Sequence, residues 1–272
     1  MMGTMTKTPA MFQSLWVEFQ KVRRSKTLWI TALAFSLVTL ICGLFMFILQ
    51  DPERARRFGL VGAKAQIFGG SADWPGLFNL TLLMVSVGGL IIFGFIFVWI
   101  FGREFSDKTV YDILSLPSSR VSIVMAKLIT AAYWSMALVL IVFVLTLGAG
   151  VLLQLPGWSA ATILNGLRLL LITGLLTVIL SIPFALAASI TRGYLAAVGC
   201  LFLALILGQV MSQLGYGQYY PWTIPMFYSG AAEALTGKTA APLSLVSYIL
   251  VAIVSVLSLV ITSAWWRYAD QT

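Results

Sequence analysis

Few residues in this 272-residue sequence carry side chains able to do chemistry, and what surrounds them narrows the choice further. Gly237-Lys238-Thr239 has the ending of a phosphate-binding loop, but Ala232 stands where the first glycine is required and no buried strand precedes it. A nucleotide site in this chain is therefore rejected, and no cofactor is expected in it. Cys42 and Cys200 both lie in long apolar runs, which leaves no disulfide framework or cysteine metal site, and the chain has no histidine for a zinc or His-based catalytic arrangement. What remains is Arg103-Glu104, inside a charged run, and Arg168, near the start of an apolar stretch. Charged groups are costly in a bilayer and often mark substrate or ion paths. Arg168 reads two ways: it snorkels to the outer surface, or it meets an anionic ligand in a cavity. No acidic residue falls inside a predicted span, which argues against the Asp/Glu relay of many proton-coupled transporters.

The elements that must position these residues follow from composition. Apolar residues make up 60% and charged residues 10%, against roughly 45–50% and 25% in a soluble domain, and the mean hydropathy is +0.97. A soluble globule and a disordered chain are both excluded. The apolar lengths predict an all-α, polytopic membrane protein with six transmembrane helices, at Leu28–Leu49, Leu77–Phe101, Ile123–Leu153, Ile163–Ile190, Leu195–Met211 and Leu243–Ala264. The first reads as a retained signal-anchor, with residues 1–27 a cytoplasmic tail and amphipathic helix and residues 28–272 the six-span transmembrane domain.

Six spans put both termini on one side, and the basic residues choose which. Lys7, Lys21, Arg23, Arg24, Lys26, Arg103, Lys108, Arg120, Lys127, Arg192 and Arg267 fall on one side; Arg54, Arg56, Arg57, Lys64, Arg168 and Lys238 fall on the other. The larger set predicts cytoplasmic termini in a cell inner or plasma membrane, with Arg54, Arg56 and Arg57 the exceptions. The net charge of +8 is thus an orientation signal, and no nucleic-acid partner is expected.

Two elements stand at the inner face. From Met11 to Leu28 the residues Phe12, Leu15, Trp16 and Phe19 recur at helical spacing, with Gln13, Glu18, Gln20, Lys21 and Arg24 at polar positions around them. Such a helix lies in the headgroup plane as an anchor to membrane lipids, and it is also able to dock a cytoplasmic partner. The inner loop 102–122 carries a short helix, capped by Ser106 or Asp107 and stopped by Pro117, whose apolar residues Val110, Tyr111, Ile113 and Leu114 must pack either on the bundle or on a soluble subunit.

Within the spans, Pro183 should kink the fourth as a packing feature or a hinge. Ala131/Ser135 and Ala185/Ser189 allow close helix approach without identifying a dimer seam. The outer segment 212–242, with Tyr216, Tyr219, Tyr220, Trp222, Phe227 and Tyr228 around Pro221 and Pro225, reads as an interfacial aromatic belt or as a hairpin at the membrane surface capping an exit.

The run GREFSDKTVYDILSLPSSRVSIVMAKLI from Gly102 to Ile129 resembles the signature of ABC-2 type permeases: a Gly-Arg-Glu turn, an amphipathic coupling helix, then Pro and Ser-Arg before an Ala-Lys opening the next span. Tyr219-Tyr220-Pro221-Trp222-Thr223-Ile224-Pro225 resembles their Pro-aromatic-x-x-Pro element. Size and layout look most like the bacitracin or lantibiotic exporter permeases. One departure is Lys108-Thr109 followed by Val110-Tyr111, where the family commonly shows Gly-Thr and a basic residue two positions later.

The resemblance implies an export permease that dimerises, as a homodimer on the simplest reading, and binds two nucleotide-binding ATPase subunits, which would hold the ATP and Mg2+. It assigns ATPase coupling to Arg103, Glu104, Thr109, Tyr111, Ile113 and Leu114, and the interfacial connecting helix to the segment bearing Phe12, Leu15, Trp16 and Phe19. An outer gate falls on Tyr219, Pro221, Trp222 and Pro225, and Arg168 is the candidate on the substrate path. The expected cargo is an amphipathic drug, peptide antibiotic or lipid-like compound. The competing readings are a standalone secondary transporter and a non-transporting scaffold or immunity protein.

Overall fold

A computed structural model describes residues 10–59, 71–110, 119–233 and 243–268. Its elements are α1 (Ala10–Arg23), α2 (Lys26–Leu49), α3 (Pro52–Arg57), α4 (Trp74–Ser106), α5 (Arg120–Leu152), α6 (Ala160–Ile179), α7 (Ile182–Ile190) and α8 (Leu195–Gln213). Two 3-10 turns at Gly217–Tyr219 and Pro221–Thr223, then α9 (Ile224–Tyr228) and α10 (Leu245–Tyr268), complete the chain. There is no strand among the described residues. Six helical spans are long and apolar enough to cross a membrane, with α6 and α7 forming one of them. The chain is an all-α, multi-pass membrane protein, as its apolar lengths predict.

The spans pack around α4. Of its most apolar stretch 61% is buried, against 28% for α2, α8 and α10, so α4 is the axis and the other three turn apolar faces outward. Leu33, Leu37, Leu40 and Leu44 make such a face on α2. Spacings of three and four place these side chains on one stripe of a helix, and lipid is the solvent that suits them. The small pairs are internal: Ala131, Ser135, Ala185 and Ser189 are all buried, and the Trp266 indole donates to Ser189 Oγ at 3.0 Å.

Polar side chains set several helix ends. Asp73 accepts the Gly76 N–H at 2.7 Å and starts α4 at Trp74, before the expected Leu77, with Pro75 in the first turn. Ser119 caps α5 and Asp51 caps α3. At its other end α4 continues through Gly102-Arg103-Glu104 to Ser106. This corrects the expected inner loop 102–122: its first residues belong to the span, and Ser106 and Asp107 close α4 instead of capping a new helix. The closure is a Schellman motif, in which the Thr109 N–H reaches the Glu104 carbonyl at 3.0 Å and Lys108 adopts φ +56°. Residues 111–118, the remainder of the expected coupling helix, lie outside the described residues, as does Gly237-Lys238-Thr239.

The fourth span breaks near Pro183, as expected. Phe184 N–H turns back only three residues to Ser181 O, at 3.1 Å, which leaves the Leu180 carbonyl without its usual partner in the helix. The Trp222 indole fills that vacancy at 2.9 Å. The segment after α8 therefore turns back into the helix bundle. Tyr220 Oη donates to Ala204 O at 3.0 Å, and Leu180 and Ala204 each lie roughly 15 Å along their helices from the turn that joins α7 to α8. Irregular backbone at such depth is tolerable only when sheltered by protein. Here Thr223 Oγ1 bonds the Tyr220 and Gly217 carbonyls, and Ser247 Oγ bonds Gln218 O at 2.8 Å. Gly208 lets the insert come close: a Cβ there would stand 2.9 Å from Thr223 Cγ2 and 3.3 Å from the Tyr220 ring.

Candidate functional site

At the end of the bundle that carries both described terminal helices, α1, α4 and α5 meet through charge. Lys127 of α5 is 0% exposed, Glu104 of α4 2% and Glu18 of α1 3%. Lys127 Nζ donates to Glu104 Oε1 at 2.7 Å, to Glu18 Oε1 at 3.1 Å and to the Ile100 carbonyl at 3.5 Å. Arg103 Nη2 reaches Glu18 Oε2 at 3.1 Å, and its guanidinium lies 4.6 Å from the Trp99 ring centroid. Lys21 Nζ bridges Glu18 at 3.2 Å and Glu104 at 3.0 Å. Thr109 Oγ1 donates to the second oxygen of Glu104 at 2.6 Å.

Two carboxylates thus serve three cations in a site with little water. Burying such ions costs several kcal/mol each unless every one is paired, and the cross-links described here supply that pairing. Burial alone would push the Glu18 carboxyl up, but Lys127, Lys21 and Arg103 outweigh it and hold it below its ordinary value. The arrangement contains no nucleophile beside a base, and no group of His, Cys, Asp or Glu among the described residues could hold a metal ion. What it can do is lock three elements in one relative position.

The structure redistributes the expected site residues. Glu104 does not face outward; its carboxylate points into the cluster, and Arg103 and Thr109 join it there. Tyr111, Ile113 and Leu114 lie outside the described residues. On α1, Phe12, Trp16 and Phe19 are exposed with Leu15 half-buried, while Glu18 and Val22 form the packed side. The aromatic face thus lies largely open along the flank of α5, and Glu18 is a buried anchor instead of a solvated position. Lys127, read as an orientation charge, is the fully buried hub. Gly102 fits this frame because a Cβ there would meet the Tyr194 ring at 2.8 Å and the Gly193 carbonyl at 3.2 Å, so the turn after α7 packs directly on the end of α4.

At the far end, Pro221 and Pro225 are buried and Trp222 is half-buried inside the insert, whereas Tyr219 stays exposed. Arg168 is exposed and bonds Asn165 Oδ1 at 3.2 Å. Asn165 lines a cleft of about 390 Å³ between α4 and α6, with Asn79 opposite. Arg168 stands beside that cleft without lining it.

Residues 14–209 match the model of the ABC-2 family transporter protein. The chain belongs to the ABC-2 transporter family. The matched range runs from α1 into α8 and so contains the whole charge cluster and the Pro183 break. A similar curated protein is the bacitracin transport permease protein BCRB of Bacillus licheniformis, 27% identical over 142 residues, which cover 52% of this chain and 68% of the relative. The ABC-2 assignment makes this an ABC transporter permease subunit, similar to a bacitracin transport permease, and it implies association with an ATP-binding subunit.

Proposed function

We propose that this permease moves an amphipathic drug, peptide antibiotic or lipid-like compound outward, driven by ATP hydrolysed in separate nucleotide-binding subunits. The chain works as one of a pair, a homodimer on the simplest reading, with both termini in the cytoplasm. It contributes no ATP chemistry of its own; ATP and Mg2+ belong to the partner. The observation that carries the reading is the Glu18–Glu104–Lys127 cluster. It ties α1 and two spans together beside Thr109, where the chain leaves the membrane towards Tyr111, Ile113 and Leu114. Motion delivered to that segment reaches α4, the axis of the bundle, through bonded groups rather than through lipid. Glu104 is then a positioning residue, and Tyr111 and Leu114 are the docking face. The inserted Pro221–Tyr228 segment is the outer gate, and the cleft beside Arg168 is a candidate stop for an anionic part of the cargo.

The test is the assembled complex in lipid vesicles. Tyr111→Asp should weaken co-purification with the ATPase, and Glu104→Gln should lower transport per assembled complex more than it lowers membrane insertion. Wild-type binding and transport in both variants would refute the coupling role. Single-cysteine labelling decides the orientation: position 108 should react only from the cytoplasmic side and position 56 only from outside.

A further inference from the structure

Between the outward face of α1 and the flank of α5 lies a cleft of about 200 Å³. Phe12, Leu15, Trp16 and Phe19 wall one side, Ile129 and Tyr133 the other. The Phe19 and Tyr133 rings meet edge to face at 5.8 Å. Thr130 also lines the cleft, and its hydroxyl is one of a few buried hydroxyls, with those of Ser135, Thr173 and Ser212, that lack a partner. The side chain is 2% exposed, yet Oγ1 has no hydrogen-bond partner. Threonines in apolar helices ordinarily bond the carbonyl one turn back, as Thr31, Thr39, Thr81 and Thr146 all do in this chain. A buried donor left over beside an apolar cleft is free to bond an acceptor carried by whatever occupies it.

Charge says what that occupant carries. At the end of α1, Arg23, Arg24 and Lys26 follow Phe19 within two turns, and none of them forms an ion pair among the described residues. The walls of the cleft are apolar and continuous with the exposed aromatic face of α1, so it is open to the bilayer. An acyl chain suits the walls, an ester carbonyl suits the hydroxyl, and an anionic head group suits the basic end.

We propose that the cleft between α1 and α5 is a binding site for an anionic phospholipid: one acyl chain lies among the rings, an ester oxygen accepts the Thr130 hydroxyl, and the phosphate head group sits at Arg23, Arg24 and Lys26. The lipid wedges α1 from the flank next to Glu18, so α1 is held by the charge cluster on one face and by lipid on the neighbouring one. This inference does not depend on which cargo the permease moves or on the attached ATPase.

The experiment uses the full-length chain in phosphatidylcholine nanodiscs containing a trace of phosphatidylglycerol with a photoreactive diazirine on one acyl chain. Mapped adducts should concentrate on Phe12–Phe19 and Ile129–Tyr133 relative to the lipid face of α2. Unlabelled phosphatidylglycerol should compete roughly tenfold better than phosphatidylcholine, the preference expected of a few basic side chains near an anionic surface. Thr130→Val, which keeps the shape and removes the donor, should reduce labelling at the cleft. An Arg23→Gln/Arg24→Gln pair should abolish the preference for phosphatidylglycerol. Adducts spread evenly over α2 and α5, equal competition by phosphatidylcholine, or undiminished labelling of Thr130→Val would each overturn the proposal. So would stoichiometric displacement by an amphipathic peptide, which would mark a cargo site.

Discussion

The indole N–H of Trp222 donates to the carbonyl of Leu180, 42 positions earlier in the chain and 2.9 Å away. That carbonyl is available because the span breaks at Pro183. A proline in one span and a tryptophan after the next are therefore two halves of one feature, and neither can be judged alone.

Trp222→Phe keeps the ring and removes the donor. It should cost about 1–3 kcal/mol, the penalty for an orphaned buried carbonyl, seen as a lower unfolding midpoint in detergent or nanodiscs. In a Pro183→Ala background the helix can straighten and Phe184 N–H can serve Leu180 itself, so the same change should cost much less. Equal costs in the two backgrounds would show that the bond and the break are unrelated.

Lys127→Met should be among the most damaging single changes in the protein. It leaves the Glu18 and Glu104 carboxylates buried side by side with only the partly exposed Lys21 shared between them, at a cost of about 3–5 kcal/mol. Adding Glu104→Gln removes one stranded charge and leaves Glu18 paired with Arg103 and Lys21, and should recover a large part of the loss. Thermal unfolding of the single and double variants makes the comparison, and a double variant weaker than the single one would contradict the charge argument.

The docking of α1 should be sensitive to acid but not to mild alkali. Because the folded state holds the Glu18 carboxyl below its ordinary value of 4.5, the stabilisation is whole above that value and is lost as the pH falls through the lower folded-state value. Spin labels at Val17 on α1 and Val121 on α5 should report one short distance from pH 8 to pH 5 and a broadened, longer one in stronger acid. A distance that is already changing between pH 8 and pH 6 would point to a different group.

Lys108 occupies the left-handed position of the Schellman motif that ends α4, a position that favours glycine. A side chain there costs roughly 1 kcal/mol or more, so Lys108→Gly should raise the unfolding midpoint while leaving the Thr109–Glu104 contacts in place. No rise would mean that the lysine makes a compensating contact.

The spans and the amphipathic first helix were legible because both depend on local periodicity and length. The partners of Glu104 were not. Glu18 sits among polar residues on a surface helix, where periodicity assigns it to water, and Lys127 sits at the mouth of a span, where a positive charge has a sufficient explanation in topology. Only the meeting of α1, α4 and α5 makes them one site. The Ala126-Lys127-Leu128 run did hold a signal, since a lysine on the buried stripe of a periodic helix demands an acid. The outer aromatic segment was ambiguous for another reason: rings and prolines suit a surface belt and a packed insert alike, and the Leu180 carbonyl that Trp222 meets is a backbone atom that composition does not reveal.

The charge cluster also fixes an order of events during synthesis. Glu18 is made first, but its partners Arg103 and Lys127 follow 85 and 109 residues later. At translation rates of about 5–20 residues per second, α1 waits on the order of 5–20 s with its carboxylate paired only to Lys21. Its aromatic face can moor it at the membrane surface during that interval, while Glu18 remains in water. Burial of Glu18 then becomes possible only after α4 and α5 are both in place, so the closed cluster is a molecular certificate that the first half of the protein has been inserted in full.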